Sequence, residues 1–289
     1  MTPVMRETGS GTGVNSSLQT IPKLMTAREE RAVQRAVAIL EGKSFVSRLS
    51  DITGEPLTQV LKHLPTPVTN RINRAVRGAL AQALDVAVYK MGSTGLPEPP
   101  PALFQLFSGL TGGVSGFFGL GALAVELPVT TTLMLRSIAG IAVRNGEQLQ
   151  HPAARLACLE VFALGSPGKP GVSAEASYYA TRAFLAKTVS EAASNMLERR
   201  LAGGSAPVIV DLITSIGSRF GLVVSEKVAA GAIPVVGAIG GAAVNLAFMH
   251  HFQRVASAHF AIRQLERRYG PQYVRSKYET YDDLRTAQT

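Results

Sequence analysis

The sequence has little charge for its length. Of its 289 residues, 17% are charged and 46% are hydrophobic, whereas roughly 25% of the residues in a typical soluble domain are charged. A chain of this length can bury a sizeable core, as one large domain or as two small ones. The shortage of charge therefore indicates that much of the protein is either buried or in contact with lipid.

Cysteine and tryptophan are almost missing. There is no Trp, and the only cysteine is Cys158, which excludes an internal disulfide framework and a zinc site built on cysteines. Cys158 stands in an apolar segment, where a thiol usually behaves as a small core side chain. The first residues also lack the apolar run of a secretory signal, because Arg6 is followed by polar residues. We therefore expect a chain that starts in the cytoplasm.

Common motifs for cofactor binding and catalysis are also missing. The sequence has neither a phosphate-binding Gly-x-x-x-x-Gly-Lys-Ser/Thr loop nor a Gly-x-Ser-x-Gly nucleophile elbow. Gly119-Leu120-Gly121 superficially matches a dinucleotide fingerprint, but that motif requires a preceding strand and a βαβ unit, and the sequence predicts neither. We expect no cofactor and no metal, and the catalytic residues, if the protein is an enzyme, are unknown.

The most prominent segments of the sequence are two long charge-free stretches rich in glycine. They run from Pro99 to Val125 and from Val228 to Met249, and each is long enough to cross a bilayer as a helix. Both contain a pair of glycines four residues apart, a spacing that lets helices pack closely: Gly112 with Gly116, and Gly237 with Gly241.

Prolines and polar residues weaken the interpretation of these stretches as two clean membrane spans. Pro128 follows the first stretch and divides it from the next apolar segment, while Pro234 and Asn245 interrupt the second. Three interpretations stand: a hairpin that dips into a membrane, a soluble helical bundle with a very apolar core or lipid cavity, and true spans.

Hydrophobic periodicity predicts an all-α protein. Thr26 and Glu29 form a capping-box pattern at the start of a helix, and apolar residues recur every four positions from Val68 to Val88. We find no run of alternating strands. The predicted organisation is a disordered tail over 1–21, a single multi-helix domain over 22–280 with the two apolar segments packed centrally or dipping into a membrane, and a short tail over 281–289.

The net charge of +9 has two specific interpretations, namely attraction to anionic lipid headgroups and binding of nucleic acid. The basic residues are scattered along helices and do not form a dense run, so a solvated helix face is the ordinary alternative. We expect a membrane surface or lipid as partner and no nucleic acid. The oligomeric state is not readable from the sequence.

Several polar residues are candidates for function. Glu126 borders an apolar run, so we expect it to be buried and paired with Arg136, Arg144 or Arg182, as a structural ion pair rather than a catalytic group. Glu147 and His151 are predicted to be solvated residues of a turn. His259 shares a helix face with Arg263, but without nearby carboxylates the histidines make a poor metal site. Two further candidates are Asn245 and Tyr178, the latter as an interface anchor or a packed side chain.

Several separated motifs occur in one order along the chain: Glu126-Leu127-Pro128 with Leu133 to Ala139, Cys158 to Gly165, Tyr178-Tyr179 with Arg182, Ile233-Pro234-Val235 with Val244-Asn245, and His259-Phe260 with Arg263 and Leu265-Glu266. Together they resemble the EcsC family over roughly Thr26 to Tyr278. The namesake of that family is encoded beside a bacterial ABC transporter that affects protein secretion, and some members have been labelled peptidases. This chain has neither a zinc-binding His-Glu-x-x-His motif nor a credible Ser or Cys triad.

The resemblance and the apolar stretches lead to one main expectation. We expect a bacterial protein on the cytoplasmic side of the inner membrane, peripheral to it or partly inserted, which binds the membrane or lipid. A role as accessory subunit in transport or secretion is implied by the family. The alternative is a hydrolase that acts on a lipid or peptide through a buried carboxylate, for which Glu126 is the candidate.

Overall fold

The computed structural model describes residues 24–53, 61, 64–87, 119–166, 178–198, 207–231 and 241–287. Within these ranges every regular element is a helix, which confirms the prediction of an all-α domain. The predicted tail over 1–21, the glycines Gly112, Gly116 and Gly237, and Pro234 lie outside the described residues. The described ranges contain the helices α1 (Ala27–Leu40), α2 (Phe45–Thr53), α3 (Thr66–Asp85), α4 (Gly119–Arg144), α5 (Pro152–Leu164), α6 (Tyr178–Glu198), α7 (Pro207–Gly231), α8 (Gly241–Tyr269) and α9 (Pro271–Thr286).

The predicted capping box and the predicted apolar stripe are both present. Glu29 N donates to Thr26 Oγ1 at 3.3 Å, and Thr26 N donates to Glu29 Oε2 at 2.9 Å, so two backbone groups at the start of α1 are satisfied. In α3 the four-residue spacing buries Ile72, Val76, Leu80 and Leu84. One face of α3 therefore packs into the core, and the opposite face meets solvent.

Helix α5 lies at the centre of the domain. Every residue from Ala154 to Leu164 is buried, and α4, α6, α7 and α8 pack around it. Pro152 occupies the first turn, where a missing N–H has no intrahelical partner to lose. Because α5 has no solvent face, its two charged residues, Arg155 and Glu160, are held inside the protein.

Helices α4 and α8 run parallel in a constant register. Gln253 Nε2 donates to Ser137 Oγ at 2.9 Å, and Arg263 Nε donates to Glu147 Oε1, just beyond the end of α4, at 2.8 Å. Both pairs are separated by 116 residues along the chain. The two helices therefore begin at the same end of the domain.

Helix α3 joins α4 and α8 in a parallel layer. Arg155, in the first turn of α5, donates to the carbonyl of Ala87 beyond the end of α3 at 3.3 Å, and α5 follows shortly after the end of α4. The C-terminal ends of α3 and α4 therefore lie together, and α4 packs between α3 and α8. Helix α7 runs in the opposite direction along α3, with Gly217 beside Val76 and Leu80 and Gly221 beside Asn73.

The expected break at Pro128 is wrong, because α4 continues through this residue from Gly119 to Arg144. Proline removes one intrahelical hydrogen bond, which would have joined its N–H to the carbonyl of Ala124. Ala124 is exposed, so that carbonyl remains accessible to water.

The second apolar stretch is divided between two helices. Its first residues close α7 at Gly231, and its last residues open α8 at Gly241. In the described ranges one helix is long and apolar enough to cross a membrane, and it is α7. Helix α7 packs against α3, α5 and α6, and 39% of its apolar window is buried in the domain.

Candidate functional site

Polar side chains from α5, α6 and α8 meet inside the domain and form a connected series, which we call the polar chain. Arg182 donates to Glu266 through both terminal nitrogens, at 2.7 and 3.0 Å. It also donates to the hydroxyl of Tyr178 at 3.2 Å, and that hydroxyl lies 3.0 Å from His259 Nδ1. His259 Nε2 in turn lies 4.0 Å from Glu160 Oε2.

Helical spacing positions these groups. Tyr178 and Arg182 are four residues apart on α6, and His259 and Glu266 are seven apart on α8, so each pair lies on one side of its helix. Glu160 projects from the buried helix α5. The polar chain therefore joins three helices that are distant in sequence.

The Tyr178 hydroxyl links Arg182 to the ring of His259. Arginine can only donate, so this hydroxyl accepts from Arg182, and it also forms a hydrogen bond with His259 Nδ1. In the neutral tautomer whose Nδ1 accepts from the hydroxyl, the ring proton lies on Nε2. This N–H faces Glu160 but is too far away for a hydrogen bond.

Burial sets the charge states of His259 and Glu160. Desolvation lowers the pKa of His259 well below its ordinary value, and the positive charges of Arg182 and Arg263 lower it further. Desolvation also raises the pKa of Glu160, although Arg263 and Arg182 partly oppose this. Although the two side chains are close, they do not form an ion pair, because the imidazole is neutral.

A second carboxylate, Glu41, fastens the start of α6 to α1 and α9. It accepts from the backbone N–H of Tyr178 at 2.8 Å and from the hydroxyl of Tyr278 at 2.9 Å. The rings of Tyr178 and Tyr278 stack with centroids 5.4 Å apart. Burial is the main cause that raises the pKa of Glu41. Tyr178 is therefore a packed side chain that is bonded at both its backbone and its hydroxyl.

Glu147 is not the solvated turn residue that we expected. Its side chain is 6% exposed and accepts from Arg263 at 2.8 and 3.3 Å and also from Arg267. Burial alone would raise its pKa, but the two arginines lower it. His151, four residues further on, is exposed, and its Nε2 lies 3.1 Å from Gln148 Oε1, as expected of a turn residue.

The partner of Glu126 also differs from expectation. Glu126 accepts from Lys227 of α7 at 2.6 Å, and not from Arg136, Arg144 or Arg182. The Lys227 ammonium also lies 5.1 Å from the centroid of the Phe248 ring, so a cation–π contact adds to the ion pair. Lys227 lies on α7 close to the start of α4. The three arginines do not reach the Glu126 carboxylate at that position.

The other predicted residues lie apart from the polar chain. Arg136 is half-buried on α4, and its buried Nη1 has no hydrogen-bond partner in the part of the chain that the structure describes. Asn245 is half-buried in the second turn of α8, and Gly241 is the first residue of that helix. Of the eight candidate polar residues, the structure thus joins Tyr178, Arg182 and His259 in one series and Glu147 with Arg263 in a neighbouring pair.

Sequence reasoning missed Glu160, Glu266, Glu41 and Lys227 as partners. Glu160 and Glu266 stand within the motifs quoted above, and a charged residue in the apolar run Cys158 to Gly165 was a usable signal. Without Glu160, the sequence predicts no carboxylate near His259. That prediction is wrong, because Glu160 of α5 lies close to His259 of α8.

The chemistry available in this interior is limited. Over the described ranges no group of three or more His, Cys, Asp or Glu side chains is arranged to hold a metal ion. His259 is fully buried, and the Glu160 side chain is 9% exposed, so a substrate would have to open the helix packing to reach them. The hydrogen bonds of the polar chain can hold α6 and α8 in register.

Comparison with known proteins gives one match. The model of the EcsC protein family matches residues 101–265, which is more than half of the chain and lies inside the region that carries the resemblance. The match includes Glu160, Tyr178, Arg182 and His259 and ends one residue before Glu266. No curated protein and no solved structure matches the chain. The protein is therefore a member of the EcsC protein family.

Proposed function

We propose that this protein binds the surface of anionic membranes, and that the contact is made by the arginine face of α3. This face is defined by Arg71, Arg74 and Arg77, all of which are exposed. Their spacing of three residues spreads them over roughly 120° of the outer side of the helix. The observation that carries the proposal is that no carboxylate of the described residues forms an ion pair with this face.

The acidic side chains near α3 do not neutralise it. Helix α3 has no acidic residue before its last position, Asp85, which follows Arg77 at a distance of roughly 12 Å along the axis. Among the described residues, every ion pair within 4.0 Å involves other basic groups. Anionic headgroups would supply the missing counter-charges.

Helix α1 offers a natural comparison, since it also exposes three arginines, namely Arg28, Arg31 and Arg35. On α1, however, acidic residues alternate with them, and Glu29 and Glu30 pair with Arg268 and Lys277. The local charge on α1 is therefore mixed. This makes the α1 arginines a matched control for the α3 arginines.

The test is flotation with vesicles that contain phosphatidylglycerol or only phosphatidylcholine. We expect the protein to float with the anionic vesicles and to be released by salt. Each basic residue near the surface contributes roughly 1 kcal/mol, so the triple change of Arg71, Arg74 and Arg77 to Gln should weaken binding by roughly 100-fold.

The control is the triple change of Arg28, Arg31 and Arg35 to Gln, which removes the same charge. Equal losses in both variants would show that net charge alone matters, and would overturn the assignment to α3. No flotation of the unchanged protein would overturn the proposal itself. Equally strong binding of a short DNA duplex would favour nucleic acid as the anionic partner.

The hydrolase hypothesis has less support. Glu126, its candidate carboxylate, is in an ion pair with Lys227. The carboxylate that lies near His259 is that of Glu160, which is buried between α5 and α8. If the protein is nevertheless a hydrolase that uses Glu126, Glu126→Gln should abolish turnover in a protein that still folds.

A role as accessory subunit in transport or secretion is compatible with binding to the membrane surface. We propose this role on the family resemblance alone. Co-purification with an ABC transporter from detergent-solubilised membranes would support it, and recovery of the protein without any transporter subunit would contradict it.

A further inference from the structure

We propose that Val125 and Leu246 insert into the anionic bilayer at the boundary between headgroups and acyl chains. This inference rests on the proposed membrane binding and adds the orientation of the domain on the membrane. Val125 is 71% exposed and Leu246 is 57% exposed. Both lie in the second turn of their helices, α4 and α8.

The parallel register places the two side chains at one end of the domain. Because positions in α8 correspond to positions 116 lower in α4, Leu246 is level with Thr130. Val125 therefore lies five residues, or roughly 7.5 Å, nearer the common end. Leu246 is two turns before Gln253, the residue that bonds α4, so it lies on the side of α8 that borders α4.

The charged groups at this end leave the two apolar side chains free to enter lipid. Helix α4 has no charged residue before Glu126, and α8 has none before Arg254. Glu126 is neutralised by Lys227, whose side chain is 8% exposed. Insertion of the first turns therefore does not bury an unpaired charge, which would be costly in a bilayer.

The arginine face on the neighbouring helix identifies a bilayer as the occupant. Since α3 lies beside α4 and runs parallel to it, Arg71, Arg74 and Arg77 are on the same layer as Val125. Apolar side chains next to unpaired basic residues are complementary to an anionic bilayer, which offers phosphates beside acyl chains. A second copy of this chain would bring the same unpaired arginines and repel.

A tryptophan reporter tests this inference directly, because the chain contains no Trp. The variant Val125→Trp places a single indole at the proposed depth, where Trp is favoured at membrane interfaces. Its matched control is Val210→Trp on α7, since Val210 is the same residue type and is 58% exposed. We expect phosphatidylglycerol vesicles to shift the Val125→Trp emission to shorter wavelength, with quenching by lipids brominated in their acyl chains.

The outcomes separate this inference from the proposed function. Flotation without a shift for Val125→Trp, or with an equal shift for Val210→Trp, would overturn the insertion while leaving membrane binding intact. Emission that is already shifted before lipid is added would show that protein covers this face, and would overturn the inference. Failure to float would overturn both.

A second variant pair measures the contribution of the apolar side chains to binding. The double change Val125→Ser and Leu246→Ser should weaken binding to anionic vesicles by at least roughly tenfold, because two apolar side chains would no longer leave water. The same change at Val210 and Leu222, which is 55% exposed on α7, should have no effect. Equal binding of both double variants would contradict insertion.

Discussion

The polar chain and the arginine face of α3 use the same residue type in opposite ways. In the polar chain Arg182 has a bidentate carboxylate partner and a tyrosine hydroxyl, both inside the protein. On α3, Arg71, Arg74 and Arg77 have no acidic partner among the described residues and point into solvent. The two regions therefore differ in both burial and pairing: Arg182 is enclosed with a carboxylate, whereas the three arginines of α3 are exposed without one among the described residues.

This difference separates stability from binding. A buried ion pair is costly to break from one side, because the remaining charge has lost its water and its partner. An exposed arginine keeps its water and contributes little to stability, so it remains available to an external anion. Changes in the two regions should therefore have nearly opposite consequences, which the following predictions test.

The largest effect is expected in the polar chain. Arg182→Ala leaves the carboxylate of Glu266, which is 10% exposed, without its partner and should lower the free energy of unfolding by about 4 kcal/mol. Lys187→Ala is the control on the same helix, since its pair with Glu191 is exposed and should matter by less than about 0.5 kcal/mol. Urea denaturation measures both. Equal losses would show that the polar chain does not stabilise the fold.

Acid should weaken the interior without weakening the arginine face. Burial lowers the pKa of His251, whose Nε2 bonds the carbonyl of Gly165 at 2.6 Å, from 6.5 to about 4. In the unfolded chain the His251 imidazole therefore gains a proton below pH 6.5, whereas in the folded protein it gains one only near pH 4. Stability should fall by roughly 2 kcal/mol from pH 7 to pH 5 on account of this residue.

The variant His251→Gln isolates this contribution, because glutamine can donate a hydrogen bond but does not titrate in this range. Its unfolding free energy should depend less on pH than that of the unchanged protein, even if it is lower at pH 7. Parallel pH profiles of the two proteins would show that His251 does not cause the acid sensitivity.

An intermediate effect is expected at the ion pair between Glu126 and Lys227. Glu126→Gln keeps an acceptor for the buried ammonium but removes the opposite charge, so stability should fall by about 2 kcal/mol. Asp51→Asn in the exposed pair with Lys43 is the control and should be close to neutral. Thermal unfolding measures both variants. An unchanged unfolding midpoint for Glu126→Gln would show that the Phe248 ring, and not the charge of Glu126, stabilises Lys227.

The smallest effect on stability is expected on α3. The triple change of Arg71, Arg74 and Arg77 to Gln should alter the free energy of unfolding by less than about 0.5 kcal/mol, although we expect it to weaken vesicle binding strongly. A large loss of stability would show that these arginines have structural partners, and would blur the contrast between the two regions.

Much of the local structure could be predicted from the sequence. The capping box at Thr26 and Glu29, the buried stripe of α3 and the end of α8 before Gly270 depend on residues within a few positions of each other. Helical spacing also predicted that His259 and Arg263 share a face. These features follow from backbone geometry and from residue types, which one sequence contains in full.

Partner choice could not be predicted. Glu126 finds Lys227 at a separation of 101 residues, and Glu147 finds Arg263 at 116, whereas spacing rules extend only over a few turns. Several arginines were equally acceptable partners by charge, and only the packing of α4 against α7 and α8 selects among them. The continuation of α4 through Pro128 also could not be predicted from local spacing. It depends on whether the carbonyl group of Ala124, which loses its partner at Pro128, is exposed to water.

By itself the sequence determined that the chain is helical, low in charge and basic, and that it resembles the EcsC family. Composition, periodicity and motif order are properties of the chain alone. The tertiary structure decided which carboxylates lose their water and which arginines keep theirs. It did so by placing α5 at the centre and α3 at the surface, since the free energy of a charge depends on the groups that surround it in space.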